Sequence, residues 1–211
     1  MKQLCVFGAS GRTGLMLINN AVDLGYGVTA FCRSESDRQY LPENVVFVVG
    51  DIRNSEHVDQ AVAGADVVIC AFGQREPFKD VFCAEATARI VESMKKNGVS
   101  RIFCIAGALC GDDSTNWSRF IKVMAWFTRK MRPEVAADRD EQERIVETSG
   151  LEWTMLKPPE LLDENEKPRF LHGENLTIDV YSRISRHHLG KFILEQLESD
   201  KYLNKKVVLR Y

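Results

Sequence analysis

The sequence predicts an α/β protein with one doubly wound, mainly parallel sheet flanked by helices on both faces. Three observations support this prediction. Short apolar runs, typical of buried parallel strands, alternate with amphipathic stretches of helical period. A glycine triplet joins the first run to the first helix. Neither an internal repeat nor a linker interrupts the 211 residues, so we expect a single domain over 1–211.

Seven apolar runs are predicted to be strands, because apolar and β-branched residues fill them and turn signals separate them. These runs are 4–7, 28–32, 45–49, 65–71, 101–106, 151–156 and 206–210. Gly25 and Gly27 mark the turn before the second run. Pro158 and Pro159 follow the sixth run and fix a rigid loop, since paired prolines cannot continue a central strand. The polar stretch 161–179 is expected to be irregular.

The stretches between these runs are predicted to be helices from their apolar faces. Leu15, Ile18 and Val22 form that face in the first helix. The other predicted helices carry Val58 and Ala61 or cover 78–96, 135–149 and 184–197. Pro133 is expected to stop the segment that precedes it, and Gly150 to end the following helix as a C-terminal glycine.

The stretch 117–131 combines large apolar residues with interspersed basic residues. The apolar residues are Trp117, Phe120, Ile121, Val123, Met124, Trp126, Phe127 and Met131. The stretch can be a helix that covers the edge of the core, the lid or wall of a pocket for a flat aromatic substrate, or a subunit contact. A basic amphipathic helix can also contact a membrane, but no lipidation signal favours this interpretation and we expect no membrane partner.

The segment Val6–Gly14 is the candidate cradle for the phosphates of a dinucleotide. Gly8 allows a sharp turn, Gly11 lets the backbone approach a phosphate, and Gly14 lets the helix pack closely on the strand. The helix N-terminus adds free N–H groups and a partial positive charge. The spacing G-x-x-G-x-x-G, directly after a strand, predicts a cofactor site; a glycine-rich turn without a ligand is the alternative. The predicted cofactor-binding residues here are Gly8, Ser10, Gly11, Arg12, Thr13 and Gly14.

The residues after the second strand predict which dinucleotide binds. An NAD site usually has an acidic residue there to bind the ribose hydroxyls, whereas this chain has Arg33 and Ser34, with Arg12 nearby in the glycine turn. Two guanidinium groups and a hydroxyl suit a 2′-phosphate, so NADP(H) is the predicted cofactor. Alternatively, Arg33 is a surface charge that pairs with Glu35 or Asp37.

The carboxyl ends of the later strands are expected to line the rest of the cofactor site, because ligands of open parallel sheets bind at that edge. Asp51 and Ile52 are predicted to contact the adenine, although Asp51 can instead cap the following helix. The remaining predicted cofactor-binding residues are Ala71, Phe72, Gly73, Ala106, Gly107 and Pro158. A substrate pocket is predicted between 107–135 and 157–180, with Ala106 and Gly107 at the level of the nicotinamide.

Composition and charge exclude several classes of function. The net charge of −2 gives no general attraction to nucleic acid, so no nucleic acid partner is expected. No apolar run approaches the ~20 residues of a transmembrane helix, and the first strand begins too early for a signal peptide. A cytoplasmic small-molecule protein is therefore expected. The six cysteines form no C-x-x-C pair, which favours reduced, mostly buried thiols.

Two further groups of residues are expected to have no catalytic role. The four histidines lack the spacing of metal ligands, so no metal site is expected. The acidic run Asp138–Glu143 lies on a predicted helix and is interpreted as a solvated face rather than an acid/base site. No catalytic residue is assigned from the residue pattern.

Several segments together resemble the atypical short-chain dehydrogenase/reductase group. They are Val6–Gly14, Cys32-Arg33-Ser34, Val49–Ile52, Ser149–Thr154 and Pro158-Pro159. The chain is most similar to the single-domain NAD(P)H-binding and NmrA-like members, typified by biliverdin reductase B (flavin reductase), and the similarity runs nearly end to end. The resemblance implies a Rossmann-like sheet that binds NADPH, with hydride transfer to a flavin, tetrapyrrole or other planar acceptor in an open pocket.

The chain departs from this group at the expected catalytic positions. Classical short-chain dehydrogenases/reductases have a serine after the fifth strand and a Tyr-x-x-x-Lys pair on the next helix, and the flavin-reductase type keeps a hydroxyl residue after the fifth strand. This chain has Ala106-Gly107-Ala108 instead, and the match Tyr202 to Lys206 lies beside the last strand. Flavin reduction tolerates this loss because it needs proximity more than a protein acid, whereas carbonyl reduction lacks a donor for the alkoxide.

We therefore expect an NADPH-dependent reductase of a flavin or similar planar acceptor, as a monomer or weak homodimer. The alternative is a catalytically weak NADP(H)-binding redox sensor or interaction protein of the NmrA-like type, because the hydroxyl and the Tyr/Lys pair are missing. A sugar-nucleotide or isoflavone-type reductase is less favoured, since the chain has no sizeable C-terminal substrate domain.

Overall fold

The computed structural model of the chain describes residues 1–74, 81–111, 116–164 and 168–211. The strands are β1 (Gln3–Phe7), β2 (Gly27–Cys32), β3 (Val46–Val49), β4 (Val67–Cys70), β5 (Arg101–Ile105), β6 (Glu152–Lys157), β7 (Glu160–Leu162), β8 (Leu171–Gly173), β9 (Arg183–Ser185) and β10 (Lys205–Arg210). The helices are α1 (Arg12–Asp23), α2 (Ser55–Val62), α3 (Cys83–Lys96), α4 (Arg119–Met131), α5 (Pro133–Glu147) and α6 (Arg186–Glu195), with a 3₁₀ helix at Glu35–Tyr40.

Eight of these strands form one sheet in the order β3-β2-β1-β4-β5-β6-β10-β8. Neighbouring strands are parallel, except that β8 at the edge runs antiparallel to β10. The strand order reverses at β1, which pairs with β2 on one side and with β4 on the other. This reversal opens a crevice at the carboxyl ends of β1 and β4, where open parallel sheets bind their ligands.

Helices cover both faces of the sheet, because successive strand residues point to opposite sides. Leu4 and Val6 of β1 lie in one buried cluster, with apolar residues of α1 and α6. Cys5 and Phe7 lie in the other cluster, with apolar residues of α2, α3 and α5. The predicted fold class, a doubly wound and mainly parallel sheet flanked by helices, is therefore confirmed.

Some boundaries differ from the predictions. Pro133 stops α4 as expected but also begins α5, because its missing N–H costs nothing at the first helical position. Ile184, predicted as helical, lies in β9, and α6 begins at Arg186. The stretch 161–179, predicted to be irregular, includes β8 and most of β7. The first residues of the helix predicted over 78–96 lie outside the described part of the chain.

All six cysteines are free, and five of them are buried, while Cys110 is partly exposed. This agrees with the expectation of reduced, mostly buried thiols. Burial raises the pKa of Cys32 to about 11, so this thiol stays protonated at neutral pH. None of the helices in the described residues is long and apolar enough to cross a bilayer. These residues also contain no group of three or more potential metal ligands.

Candidate functional site

The glycine turn after β1 brings three backbone segments into contact. Gly8 has φ +82°, and a Cβ on it would lie 2.8 Å from the carbonyl of Ala71 and the amide nitrogen of Phe72, just after β4. A Cβ on Gly14 would lie 2.2 Å from the carbonyl oxygen of Gly8. Side chains at these two positions would push the turn away from β4 and α1 away from the turn. The glycines thus place the start of α1 at the switch point of the sheet.

The N-terminus of α1 is open to a ligand. Its N-cap residue is Gly11, which has no side chain to cap the helix, and its first turn contains no acidic residue. By contrast, the side chains of Asn54, Ser118 and Ser185 cap α2, α4 and α6. Among the described residues, no group accepts a hydrogen bond from the first amides of α1. Free amides and a helix dipole aimed into a crevice are suited to bind phosphate.

The polar residues near the end of β2 differ in their contacts. Arg33 is exposed, and no carboxylate within the described ranges pairs with it, so the alternative pairing with Glu35 or Asp37 is absent there. Ser34 caps the 3₁₀ helix and accepts a hydrogen bond of 3.2 Å from the amide of Ser36. The backbone amide of Ser10 faces the Cys32 thiol. Arg33 is therefore available to an anionic ligand at the end of β2.

Arg12 is engaged in an interaction that the sequence did not predict. Its guanidinium donates to Oδ2 of Asp163 at 2.7 Å, and Oδ1 of the same carboxylate accepts from Arg186 at 2.6 Å. Arg12 and Asp163 are both largely exposed, whereas Arg186 is buried at the start of α6. Asp163 therefore holds one cation of the predicted phosphate site through a bridge between distant segments.

Asp51 and Ile52 follow β3 at the same edge of the sheet. Asp51 accepts a hydrogen bond of 2.9 Å from the amide of Arg53, and its own amide donates to Nδ1 of His57 at 3.1 Å. The N-cap of α2 is Asn54, so the alternative interpretation of Asp51 as that cap is wrong. Ile52 packs against the core cluster, while Asp51 is exposed to solvent. A contact of both residues with adenine stays a prediction.

Arg139 of α5 lies where β4 and β5 end. Its guanidinium donates to the carbonyl oxygen of Ala106 and contacts Sγ of Cys83 at 3.4 Å. A Cβ on Gly73 would lie 3.6 Å from this guanidinium, and one on Gly107 would lie 3.9 Å from it. No carboxylate in the part of the chain that the structure describes pairs with Arg139. Sequence reasoning missed this cation; the available signal was a basic residue inside the acidic run 138–143.

Two carboxylates of that acidic run, Asp138 and Glu143, are not solvated. Asp138 is buried and accepts hydrogen bonds from the first amides of α3, at Cys83 (3.0 Å) and Ala84 (2.9 Å). Glu143 is buried as well, and pairs with Lys157. The prediction that these carboxylates are solvated was therefore wrong for Asp138 and Glu143, because the side of α5 that carries them packs against α3 and β6.

The Glu143–Lys157 pair supports the loop after β5. Glu143 is 2% exposed and Lys157 is 1% exposed. The Lys157 ammonium also donates to the carbonyl oxygen of Cys110, and the Lys206 ammonium lies 3.2 Å from the second oxygen of Glu143. On the other side, the carbonyl oxygen of Pro158 accepts from the amide of Ala108 at 2.9 Å. The start of the predicted substrate pocket is therefore attached to the end of β6.

A cavity of about 170 Å³ lies between α4, α5 and the loop after β5. It is lined by Leu109, Cys110, Ala125, Thr128, Arg129, Arg132, Val135, Ala136, Arg139 and Asp140. Arg129 pairs with Asp140, and the surface that the lining residues expose to the cavity is almost entirely apolar. Seven of these ten residues belong to the segment 107–135 predicted for the substrate, whereas Ala136, Arg139 and Asp140 lie beyond it and none belongs to the predicted segment 157–180. Residues 112–115 and 165–167 of the two segments lie outside the described part of the chain.

A protein hydroxyl is absent from the loop Ala106-Gly107-Ala108 after β5, as the sequence indicates. The match Tyr202 to Lys206 does not replace it. Tyr202 precedes β10 at the amino edge of the sheet, opposite the glycine turn, and its hydroxyl shares a hydrogen bond of 2.7 Å with Nδ1 of His172. Among the described residues, the polar side chains close to the end of β5 include the Arg139 guanidinium and the Cys110 thiol, which donates to the carbonyl oxygen of Ala106 at 2.9 Å.

Solved structures of other proteins share this fold. The chain superimposes over its full length on a wide-type short-chain dehydrogenase/reductase from Veillonella parvula in complex with NADP, with a TM-score of 0.82, 17% identity and 94% of that chain covered. The superposition on ChuY, an anaerobilin reductase from Escherichia coli O157:H7, has a TM-score of 0.79 and 18% identity. It covers all of this chain and 97% of that chain. At these identities the likeness establishes the fold.

A sequence relative covers a smaller part of the chain. The mitochondrial 40 kDa subunit of NADH-ubiquinone oxidoreductase from Neurospora crassa is 30% identical over 111 residues, which are 48% of this chain and 29% of that subunit. The chain thus matches less than a third of that relative. The family model described as NAD(P)H-binding matches residues 8–200, from the glycine turn to the residues after α6. This chain therefore belongs to the NAD(P)H-binding family.

Proposed function

We propose that the chain is an NADPH-dependent reductase that transfers a hydride to a flavin or a similar planar acceptor. The observation that carries the proposal is the uncapped N-terminus of α1, which Gly8 and Gly14 place at the switch point of the sheet. Phosphate of a dinucleotide suits this position, because the free amides and the helix dipole would replace its hydration. The residues present therefore fit the cofactor that the family binds.

Arg33 supports NADP(H) over NAD(H). It is exposed at the end of β2 and has no carboxylate partner in the described ranges. NAD sites usually have an acidic residue at this position, which would repel a 2′-phosphate. A guanidinium there would donate charge-assisted hydrogen bonds to that phosphate. Arg12 would contribute a second charge if the phosphate displaced Asp163 from it.

Arg33→Ala is expected to weaken NADPH binding by ~1–3 kcal/mol, the range for a charge-assisted hydrogen bond, and to leave NADH binding nearly unchanged. Fluorescence titration of both cofactors measures this difference. Arg53→Ala is the control, since Arg53 is an exposed arginine whose carboxylate contact, with Glu85, is long at 4.0 Å. An equal loss of both cofactors in Arg33→Ala would show that Arg33 does not bind the 2′-phosphate.

Gly14→Ala is expected to lower the free energy of unfolding by ~1–3 kcal/mol and to weaken NADPH binding at least about tenfold, because its Cβ would meet the backbone of Gly8 at 2.2 Å. Thermal unfolding and cofactor titration measure the two effects. Gly173→Ala is the control, since its Cβ would have an ordinary contact of 3.7 Å. Undiminished NADPH affinity in Gly14→Ala would remove α1 from the binding site.

The acceptor would bind in the cavity between α4 and α5, beside the ends of β4 and β5. The cofactor supplies the hydride when it is bound. The apolar walls, such as Leu109 and Val135, would exclude water and hold a flat ring. The Arg139 guanidinium would donate N–H groups to the negative charge that develops on the acceptor. A guanidinium stays charged throughout, so it stabilises an anion without acting as a proton donor.

The direct test is NADPH oxidation by the purified protein with FMN as acceptor, together with a fluorescence titration of NADPH. We expect tight binding and turnover at a rate proportional to enzyme concentration. A panel with a quinone and a tetrapyrrole extends the acceptors to other planar molecules. NADPH binding without turnover of any of these acceptors would refute the reductase proposal while leaving the cofactor site intact.

The second candidate is an NADP(H)-binding sensor or interaction protein. The absence of a hydroxyl from Ala106-Gly107-Ala108 favours it, and the Neurospora relative is a subunit of a larger enzyme. This candidate predicts cofactor binding without turnover. It also predicts a protein partner whose affinity differs between the NADP⁺-bound and the NADPH-bound forms, which a binding assay with each form would detect.

A further inference from the structure

The outer face of α4 exposes a continuous set of large apolar side chains. They are Phe120 (59% exposed), Val123 (66%), Met124 (46%), Phe127 (59%) and Met131 (65%). At 3.6 residues per turn, these five positions fall within an arc of roughly 100°. Single exposed apolar residues are common, but a stripe along a whole helix marks an interaction surface.

The inner face of α4 is already packed, so the helix cannot rotate to bury this stripe. Ile121 and Ala125 are buried in a cluster with Trp117, Ile178 and further apolar residues. The indole of Trp117 donates to the carbonyl oxygen of Ala108 at 3.0 Å, which fixes the start of the helix to the loop after β5. The stripe is therefore a rigid surface feature.

A basic sector adjoins the apolar stripe. The helix contains no acidic residue, although the chain as a whole has a net charge of −2. Arg129 pairs with Asp140, but no carboxylate of the described ranges pairs with Arg119, Lys122 or Lys130. Lys130 lies over the ring of Trp126, at 5.2 Å from its centroid, and Trp126 is itself 62% exposed.

We propose that α4 docks the protein on a membrane surface that contains anionic lipid. The apolar stripe would enter the boundary between headgroups and acyl chains, and the three cations would lie against the lipid phosphates. Trp126 would sit at headgroup level, the depth that amphipathic aromatic rings prefer. This inference does not depend on the reductase activity. It revises the expectation of no membrane partner, which relied on the lack of a lipidation signal.

A second copy of the chain fits this face less well. A contact between two α4 helices would bring basic sectors of the same sign close together. The helix has 13 residues and is about 20 Å long. Its stripe can bury far less surface area than the ~800 Å² that each partner buries in a standard stable interface. A lipid surface needs neither a matched shape nor a large area, because apolar insertion and charge attraction add up.

The test is sedimentation of the full-length protein with phosphatidylcholine vesicles that contain or lack phosphatidylglycerol. We expect about 100-fold stronger partitioning to the anionic vesicles, the effect of three cations near a charged surface, and loss of this preference at high salt. Phe120→Ser/Phe127→Ser is expected to abolish sedimentation with either vesicle. Arg119→Gln/Lys122→Gln/Lys130→Gln is expected to remove the preference for anionic lipid.

Leu24→Ser is the matched control, because Leu24 is 66% exposed at the end of α1, away from the stripe. It should sediment like the wild type. Circular dichroism and thermal unfolding verify that every variant keeps its fold. If the wild-type protein does not sediment with anionic vesicles, the proposal is overturned, whether or not light scattering detects a dimer. Unchanged vesicle binding by the double serine variant would overturn it as well.

Discussion

Glu143→Met is expected to lower the free energy of unfolding by about 3–5 kcal/mol, the usual cost of breaking a buried ion pair. The substitution removes a carboxylate that pairs with Lys157, and both side chains are almost completely buried. The Lys157 ammonium would remain in a medium that solvates it poorly, next to the carbonyl oxygen of Cys110. Urea denaturation of the wild type and the variant measures the loss, provided that the free energy of unfolding falls with urea concentration at the same slope in both proteins.

Two variants separate this effect from a general loss of packing. Glu143→Met/Lys157→Met removes both charges, and we expect it to recover most of the lost stability, because a buried pair contributes little compared with apolar residues of similar volume. Glu141→Met is the surface control, since Glu141 pairs with Arg144 on the outer side of α5, and this substitution should leave the stability nearly unchanged. If the double variant is as unstable as Glu143→Met, the loss does not come from removing the negative charge beside Lys157.

Arg139→Gln is expected to lower kcat for FMN reduction about 100-fold, the effect of removing a preorganised donor from the site of developing charge. The guanidinium lies between the ends of β4 and β5, beside Gly73 and Gly107, and borders the cavity assigned to the acceptor. Because it would act on charge that appears during hydride transfer, kcat should fall more than the affinity for NADPH. Steady-state kinetics and a cofactor titration measure the two quantities.

Arg139→Lys should retain activity within about tenfold of the wild type, because it keeps the positive charge but loses the planar donor pair. Arg144→Gln is the control on the same helix, since Arg144 is exposed and pairs with Glu141; its kcat should stay within about twofold of the wild type. A kcat of Arg139→Gln equal to that of the wild type, at unchanged stability, would exclude the guanidinium from the reaction.

The fold and the glycine turn of this protein were predictable because their signals are local in the chain. Buried parallel strands need continuous apolar runs, and the glycine spacing needs only a strand, a turn and a helix in succession. Boundaries failed where a local signal had two meanings. Pro133 both stops α4 and starts α5, and Asp51 resembles an N-cap, although Asn54 three residues later has that role.

Arg139, Asp163, the buried Glu143 and the exposed face of α4 could not be assigned from the residue pattern. Each depends on which side of its element meets a distant part of the chain. The acidic run of α5 resembles a solvated face until α3 and β6 are seen to cover Asp138 and Glu143. The apolar residues of α4 resemble core until Ile121 and Ala125 are found to fill the inward side.

The order of residues thus specifies the sheet, the helices and the glycine turn after β1, since backbone sterics and hydrophobic periodicity act over a few residues. Packing decides which partner each charged side chain has and which helix face remains exposed. Burial changes the free energy of a charge by several kcal/mol, and which residues are buried depends on contacts between segments far apart in the chain. Asp163 and Arg12, 151 positions apart, are joined in this way.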